Sequence, residues 1–255
     1  MRLDKFLVEK GLAKSREQAQ ALIMQGLVLV NDRIIDKAGY QLKGNERVVV
    51  KEGFRFVSRG GYKLENALER FKISVKDFIA LDVGASTGGF TDCLLQKGAK
   101  RVYAVDVGKA QMNTKLRRDS RVILYEKLDA RKLTEREIPE KVDIITVDVS
   151  FISQCKILNR VVPFLKDEGI ILSLVKPQFE LSPRKVKKGI VKEVKYKEEA
   201  IKKVIKCIKD LGLFIKGIIK AQPKGTKGNE EFFVFAARME PDINIEEEIR
   251  RAIHE

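Results

Sequence analysis

Apolar residues follow two different periods along the chain from residue 59 onward. The segment GYKLENALERF has the spacing of a helix, with Leu64, Leu68 and Phe71 on one face. The segment FIALDVG is almost continuously apolar, which is typical of a buried strand. Further apolar runs follow, separated by helical or irregular segments: RVYAVDV, VILYEKLD, VDIITVDVS and GIILSLVK. This alternation predicts an α/β fold, a mostly parallel sheet with helices on both faces.

The end of the chain breaks this alternation. FIKGIIKAQ and EEFFVFAAR lie close together, with a Pro/Gly turn region between them. Such spacing predicts an antiparallel hairpin at the edge of the sheet. PDINIEEEIRRAIHE predicts a terminal helix that is capped near Asp242 or Asn244.

The first fifty residues form a shorter pattern of their own. RLDKFLVEKGL places apolar residues on one helical face, and SREQAQALIMQG begins with a capping box of Ser15 and Gln18. LVLVNDRII predicts a short hairpin, and ERVVVK predicts another strand. We therefore predict a small α+β domain over residues 1–50, a semi-ordered linker over 51–58, and the larger α/β domain over 59–255.

The chain carries more positive than negative charge. Its 255 residues include 51 Lys and Arg against 36 Asp and Glu, which gives a formal net charge of +15. Residues 184–227 alone contain fifteen Lys and Arg against four Asp and Glu. This surplus favours a polyanionic partner, either nucleic acid or an anionic membrane surface. Solubility or a lysine-rich proteome is the alternative explanation.

Cysteine and histidine are scarce. Cys93, Cys155 and Cys207 lie far apart and form no CxxC pair, which argues against a disulfide framework or a zinc site and for a reducing compartment. The single histidine, His254, lies next to the C-terminus, so we predict neither histidine catalysis nor a bound metal. There is no apolar signal-peptide stretch and no apolar run of the ~20 residues that a membrane helix needs. We predict a cytoplasmic protein with no membrane partner.

The segment DVGASTGGFTD has nearly the glycine spacing of a phosphate-binding P-loop. A P-loop requires Lys where this chain has Phe90, and the GxGxxG pattern of a dinucleotide fold is missing. Asp82 would repel phosphate and instead suits a cation. Gly84, Gly88 and Gly89 allow the backbone to approach a ligand closely. The segment therefore indicates a cradle for a cationic ligand, with a purely structural tight turn as the alternative.

Four charged residues close apolar strands at equivalent positions: Asp82, Asp106, Asp148 and Lys176. In open α/β sheets, ligands bind beyond the carboxyl ends of the strands, where the strand order reverses. Asp106 is placed there to accept hydrogen bonds from ribose hydroxyls. The predicted ligand therefore carries an ammonium or sulfonium charge and a ribose but no pyrophosphate. S-adenosylmethionine (SAM) fits this description.

The same glycine segment is similar to the first motif of Rossmann-like SAM-dependent methyltransferases. The resemblance implies that LDAR, residues 128–131, lies where that class places its adenine contact, which assigns Asp129 to this contact. The residues expected to contact SAM are Asp82, Gly84, Ala85, Ser86, Gly88, Gly89, Phe90, Asp106 and Asp129.

Several polar residues of the first fifty lie outside the apolar faces of the predicted elements: Arg2, Lys5, Lys14, Arg16 and Gln25. Such a surface suits phosphate contacts, and an ordinary solvated face is the alternative. R-L-D-K-F-L, G-L-A-K-S-R-E-Q-A and G-L-V-L-V-N-D resemble the RNA-binding domain named after ribosomal protein S-four. The resemblance implies binding of structured RNA, which is read largely by shape and backbone. Arg59, directly after the linker, joins these RNA-binding candidates.

The absence of two motifs limits which kind of atom can accept the methyl group. Methylation of an exocyclic base nitrogen usually shows an Asp/Asn-Pro-Pro-Tyr/Phe motif, where this chain has Asp148-Val149-Ser150-Phe151. Methylation of a pyrimidine carbon needs a nucleophilic Cys, and Cys155 in QCK is a poor candidate. Transfer to an oxygen remains. A ribose 2′-hydroxyl loses a proton as it attacks, and without a usable histidine a lysine is the natural base, once its pKa falls from about 10.4.

Four residues resemble, one by one, the Lys-Asp-Lys-Glu tetrad of the FtsJ-type ribose 2′-O-methyltransferases: Lys63, Asp148, Lys176 and Glu231. The resemblance implies that Lys176 is the general base. Asp148 and Lys63 steer this base and shape its pKa, and Glu231 orients Lys63 or the hydroxyl. Glu230 is the alternative to Glu231, because neighbouring strand residues face opposite sides, although the pattern GNxEFF favours Glu231.

An S-four-type domain followed by this methyltransferase domain is similar to the TlyA/hemolysin A family over nearly the full chain. PQFE, residues 177–180, and the AQPKGTKGNEEF run fit that family. The resemblance implies a ribosomal RNA (ribose-2′-O-)-methyltransferase that acts on a cytidine of one or both ribosomal subunits. Two alternatives stay open: a pore-forming haemolysin, as the older family name suggests, and a non-catalytic RNA-binding or ribosome assembly factor.

Overall fold

The computed structural model describes residues 1–24, 26–50, 55–225 and 228–255. The chain divides into two compact units, Met1–Arg59 and Gly60–Glu255, and each has a hydrophobic core of its own. Residues 51–54 of the expected linker lie outside the described ranges. The functional domain limits at residues 50 and 59 stay predictions.

The first unit combines two helices with a small antiparallel sheet. Its elements are α1 (Leu3–Glu9), α2 (Arg16–Met24), β1 (Val28–Val30), β2 (Arg33–Ile34) and β3 (Val48–Val50), with the strand order β2-β1-β3. Asn31 and Asp32 join β1 to β2 with φ values of 49° and 62°. A two-residue hairpin turn needs such left-handed backbone, which Asn and Asp tolerate better than most residues. The apolar stripes of both helices and β1 meet in one buried cluster.

The second unit is built on a seven-stranded sheet. Its strands are β4 (Ile79–Val83), β5 (Arg101–Asp106), β6 (Val122–Glu126), β7 (Val142–Val147), β8 (Leu165–Val175), β9 (Phe214–Lys220) and β10 (Phe232–Ala237). The strand order is β6-β5-β4-β7-β8-β10-β9. The first five strands of that order are parallel, and β10 runs antiparallel to both β8 and β9. The predicted mostly parallel sheet with an antiparallel edge hairpin is confirmed.

Seven helices are described in or at the start of this unit. They are α3 (Arg59–Arg70), α4 (Gly89–Gln96), α5 (Thr114–Arg117), α6 (Cys155–Val161), α7 (Pro177–Glu180), α8 (Val194–Lys209) and α9 (Ile245–His254). Asn244 caps the last one, because its side chain accepts a hydrogen bond from the Glu247 amide. Asp242, the other predicted cap, instead accepts from the Ile215 amide at 2.6 Å. None of the described helices is long and apolar enough to cross a membrane.

The strand order fixes where a ligand can bind. The chain runs outward from β4 to β5 and β6 on one side, and then to β7 and β8 on the other. The order therefore reverses at β4, and ligands of open α/β sheets bind beyond the carboxyl ends at such a point. Asp106 is the last residue of β5, while Asp148 and Lys176 directly follow β7 and β8. These side chains belong to one edge of the sheet.

Candidate active site

The glycine segment after β4 has backbone that requires glycine. Gly84 has a φ of +88°, and a Cβ there would lie 2.5 Å from the carbonyl oxygen of Asp148. Gly88 has a φ of +93°, and its Cβ would lie 2.3 Å from Cδ1 of Leu116. At Gly84 the left-handed backbone and the Asp148 carbonyl both exclude a larger residue, and at Gly88 the left-handed backbone disfavours one. The segment thus brings its backbone against the start of the loop that follows β7.

Asp106 holds this segment from the neighbouring strand. Its Oδ2 accepts from the Ser86 amide at 2.8 Å, and its Oδ1 accepts from the Gly108 amide at 2.6 Å. Ser86 also donates through its hydroxyl to Oε1 of Gln111, at 3.1 Å. Asp106, Ser86 and Gln111 all line a cavity of about 450 Å³ between the ends of β4, β5 and β7. A larger depression of about 980 Å³, formed by the 132–141 segment and α6, has none of the predicted site residues in its lining.

Four of the nine predicted cofactor contacts line the 450 Å³ cavity: Gly84, Ser86, Asp106 and Asp129. The lining does not include the other five: Asp82, Ala85, Gly88, Gly89 and Phe90. Phe90 is buried, and its ring lies 5.9 Å from that of Phe233. It therefore packs in the core and does not face a ligand.

Asp82 does not have the position that the sequence suggested. Its side chain is fully buried, and its carboxylate accepts from Oγ1 of Thr91 at 2.7 Å and of Thr146 at 3.0 Å. Burial raises the pKa of Asp82 to about 7, although both hydroxyl groups favour the charged form. The expected direct contact with a cationic ligand is not supported. Asp82 instead ties β4 to α4 and β7 beneath the glycine segment.

Asp129 lines the cavity, but its carboxylate already accepts hydrogen bonds from Arg131. It caps the short 3₁₀ helix Ala130–Lys132, and its carboxylate accepts from the amide and the guanidinium of Arg131 at 2.5–3.0 Å. These hydrogen bonds lower the pKa of Asp129 to about 2. Arg131 also lines the cavity, and sequence reasoning did not single it out. An Arg two residues after a capping Asp could have suggested it.

The four tetrad candidates form two ion pairs. Nζ of Lys63 lies 2.5 Å from Oε2 of Glu231, and both side chains are buried, 11% and 4% exposed. Nζ of Lys176 lies 2.6 Å from Oδ1 of Asp148 and donates a hydrogen bond to the Ser150 hydroxyl at 3.1 Å. Pairing of this kind offsets part of the cost of burying the four charges.

Sheet register brings the two pairs to the same edge. Phe232 of β10 lies opposite Val175 of β8, so the residue before Phe232 stands beside the residue after Val175, which is Lys176. That preceding residue is Glu231. The amide of Asp148 donates to the carbonyl of Val83 at 2.9 Å, which places the other pair directly beside the glycine segment. The sequence predicted all four residues, and the fold collects them at one edge.

The two adjacent glutamates have different partners. Glu230 contacts three lysines, with Nζ of Lys197 at 2.5 Å, of Lys224 at 3.1 Å and of Lys220 at 3.6 Å. Burial would raise the pKa of Glu230, but hydrogen bonds from Lys197 and Lys224 outweigh it and lower the pKa to about 2. Only Glu231 pairs with Lys63, as the alternating faces of a strand require.

Phe151 is an exposed aromatic residue that sequence reasoning did not assign to the site. It is 91% exposed, has a φ of +64°, and lies in the lining of the 450 Å³ cavity. Its ring is 4.9 Å from that of Phe179 on α7. A bulky residue in left-handed backbone is a strained arrangement that proteins keep mainly at functional positions.

Two of the predicted RNA-binding residues, Arg2 and Arg16, hold a buried carboxylate in the first unit. Asp4 is fully buried and accepts from Nε of Arg2 and of Arg16, each at 3.0 Å. The hydrogen bond from Arg2 leads the effects that hold the pKa of Asp4 well below its usual range. The arginine side chains stay 40% and 47% exposed. Lys5 and Lys14 are exposed.

Two further RNA-binding candidates complete that set. Arg59 is the first residue of α3. Gln25 lies outside the described residues. The assignment of Arg2, Lys5, Lys14, Arg16, Gln25 and Arg59 to RNA stays a prediction.

The cysteine interpretation was wrong in one respect. Cys155 at the start of α6 and Cys207 on α8 form a disulfide that joins positions 52 residues apart. Sequence spacing could not reveal it, because only the packing of α6 against α8 brings their Cα atoms to 5.5 Å. The described residues contain no group of three or more His, Cys, Asp or Glu side chains that could hold a metal ion.

Sheet order, cavity and lysine–carboxylate pairs define a Rossmann-like methyltransferase. The FtsJ-like methyltransferase family matches residues 56–238, and the S4 domain matches residues 1–48. The chain belongs to the FtsJ-like methyltransferase family, joined here to an N-terminal S4 domain. The predicted fold and the predicted enzyme class are confirmed.

Relatives match the chain over almost its whole length. The 16S/23S rRNA (cytidine-2′-O)-methyltransferase TlyA of Mycobacterium tuberculosis is 37% identical over 100% of this chain and 97% of its own. Hemolysin A of Brachyspira hyodysenteriae is 39% identical over 91% of this chain and 98% of its own. A solved structure from Streptococcus thermophilus is 39% identical, with a TM-score of 0.77, over 100% of this chain and 96% of that one. The predicted TlyA/hemolysin A relationship is confirmed.

Proposed function

We propose that this protein transfers the methyl group of SAM to a ribose 2′-hydroxyl of ribosomal RNA, with a cytidine as the target nucleotide. The observation that carries the proposal is the pair of lysine–carboxylate contacts, Lys63–Glu231 and Lys176–Asp148, beside a glycine-walled cavity. The cytidine and the ribosomal substrate are those named for the Mycobacterium tuberculosis relative. A haemolysin activity has only the names of similar proteins in its favour.

The cavity lining fits SAM by its chemistry. Gly84 carries no Cβ where the lining must approach a ligand, and Asp106 offers carboxylate oxygens to ribose hydroxyls. Asp129, which lines the cavity and is fixed by Arg131, would accept a hydrogen bond from the adenine amino group. The remaining lining is largely apolar, including Val107, Leu128 and Ile152 from three neighbouring loops. SAM would supply a methyl group activated by sulfonium charge.

Residues of the chain would accept the proton of the 2′-hydroxyl and stabilise the negative charge that develops on its oxygen. Lys176, in its neutral form, would take the proton of the 2′-hydroxyl at Nζ as the oxygen attacks. Asp148, at 2.6 Å, would then hold the new ammonium group in place. Lys63, held by Glu231, would place positive charge near the developing negative charge on the oxygen.

The basic surfaces would bind the RNA. Arg2 and Arg16, fixed by Asp4, present guanidinium groups that suit phosphate. The surplus of lysine in residues 184–227 adds positive charge to the larger unit. Such contacts position RNA without reading its sequence. Because the proposed substrate is ribosomal RNA, we also propose that the protein acts in the cytoplasm.

Replacing the proposed base tests the mechanism. Lys176→Ala should bind SAM and RNA but lower the rate of methyl transfer by roughly 10²-fold or more, the usual contribution of a general base. The assay uses labelled SAM and ribosomal subunits, with mapping of the modified nucleotide. Lys166→Ala is the control, because Lys166 lies on the preceding strand, half-exposed and paired with Asp143. Wild-type rates for Lys176→Ala would refute the base assignment, and a methyl group on a base would refute the reaction class.

A further inference from the structure

Gln178 lies beside the candidate base and carries an oxygen without a partner. It is the second residue of α7, two positions after Lys176. Its Oε1 has almost no exposed surface and accepts no hydrogen bond from any part of the chain that the structure describes. A buried acceptor in this state destabilises the fold, and native proteins keep few of them. The oxygen therefore calls for a donor from outside the folded chain.

The other side chains of the groove offer Gln178 no donor. Gln178 lines a groove of about 400 Å³ together with Phe151, Phe179, Leu181, Pro183 and Val186. All five neighbours have apolar side chains, so Gln178 supplies the single polar side chain in this lining. Apolar walls with one convergent polar group are typical of a site that binds a flat, partly apolar ligand in one orientation.

The groove adjoins the place where the acceptor ribose must lie. Phe151 lines both the groove and the cofactor cavity, so the two adjoin at this residue. Lys176 donates through Nζ to the hydroxyl of Ser150, which precedes Phe151 in the chain and also lines the cofactor cavity. A nucleotide with its 2′-hydroxyl at Lys176 can place its base in the groove. Single-stranded RNA bases are commonly held between aromatic rings and read along their polar edges.

We propose that Gln178 determines specificity, by accepting a hydrogen bond from an exocyclic amino group of the target base, as in cytosine. The proposal rests on the ribose methylation proposed above. The terminal amide of Gln turns about a soft torsion, which can bring Oε1 to face the groove. The oxygen then gains its missing partner. A base without the amino group leaves it unpaired, and sites built to hydrogen-bond a group discriminate against analogues that lack it.

The test uses two RNA substrates and the full-length protein. Both are ribosomal RNA fragments that contain the mapped target nucleotide. One carries cytidine there, and the other carries pyrimidin-2-one riboside, which is cytidine without its 4-amino group. The wild-type protein should methylate the cytidine RNA with a kcat/KM at least about ten-fold higher than the pyrimidin-2-one RNA, because the second RNA cannot form the hydrogen bond to Gln178.

Variants of Gln178 assign that preference to this side chain. Gln178→Met keeps the length and removes the acceptor, so the two RNAs should be methylated within about two-fold of each other. Gln178→Glu keeps acceptor oxygens and should retain a preference for cytidine. Gln96→Met is the matched control, because Gln96 is exposed on α4 and bonds to Asp92. The control should keep the wild-type ratio.

Each result decides the proposal. Equal rates of wild-type protein on the two RNAs, with the methyl group on ribose, overturn the role of Gln178 and leave the proposed reaction intact. An unchanged ratio in a folded Gln178→Met protein has the same meaning. A methyl group mapped to a base overturns both the role of Gln178 and the proposed function.

Discussion

Glu230 and Glu231 are a matched pair of neighbours with different partners. Glu231 holds Lys63, and Glu230 holds Lys197, just before β10 begins. Glu231→Gln removes the negative charge that fixes Lys63, so we expect kcat to fall by about ten-fold or more. Glu230→Gln should leave kcat within about two-fold, because its lysines face away from Lys63. Methyl transfer measured at saturating SAM and RNA gives both values.

The unfolding stability of the two variants, Glu230→Gln and Glu231→Gln, provides the control. Each substitution leaves a half-buried or buried lysine without its counter-charge, so both should lower the free energy of unfolding in urea. A loss of stability common to both variants, with a loss of kcat in one alone, separates catalysis from folding. Equal losses of kcat would contradict the assignment of Glu231 and restore Glu230 as an alternative.

The sequence singled out charged residues whose side chains the structure pairs, while their catalytic roles stay predictions. Lysines and carboxylates at strand ends stand out in a sequence, and the fold brings Lys63, Asp148, Lys176 and Glu231 to one edge. Asp82 and Phe90 were predicted less well, because burial depends on which way a side chain turns from its backbone. Phe151 and Gln178 carry no charge, and the sequence noted Gln178 only as part of PQFE, so it is the structure that brings the two residues together in one groove.

At the scale of elements, the disulfide between α6 and α8 gives a direct test. Cys207→Ser should lower the free energy of unfolding by about 2–4 kcal/mol, the usual effect of a cross-link that closes a long loop. Urea unfolding with and without reductant measures it. Reductant should destabilise the wild-type protein and leave Cys207→Ser unchanged.

Counting thiols provides an independent check of this cross-link. The oxidised protein, titrated in denaturant, should show one thiol rather than three, since the chain has three cysteines and two are joined. Three thiols in protein that was never reduced would contradict the pairing. The assay does not depend on any change in stability.

Periodicity predicted the elements more reliably than it predicted their neighbours. Each apolar run of the larger unit became a strand, because a strand buried on both faces leaves a continuous signal in sequence. The final hairpin could be placed at the edge because its two apolar runs lie close together around a Pro/Gly turn region. The contact between α6 and α8 could not be predicted, since it depends on how two helices lie on the sheet.

For the whole molecule, the two compact units predict a division of labour. If the first unit supplies phosphate contacts and the second supplies SAM binding, deleting residues 1–50 should lower kcat/KM for RNA by about ten-fold or more. The Kd for SAM should change by less than about two-fold. Calorimetry with SAM and a methylation assay on ribosomal subunits measure the two quantities. Equal losses would contradict the division.

A milder change keeps the first unit in place. Asp4 holds Arg2 and Arg16 side by side, so the double change of Arg2→Gln and Arg16→Gln removes two cations next to a carboxylate. The affinity for RNA should fall, and the slope of log affinity against log salt should become shallower by about two, because each phosphate contact releases about one counterion. Arg136→Gln, on an exposed turn of the larger unit, is the control for charge alone. An unchanged slope in the double variant would mean that these arginines face solvent and that the RNA is held elsewhere, with the lysines of residues 184–227 as the next surface to test.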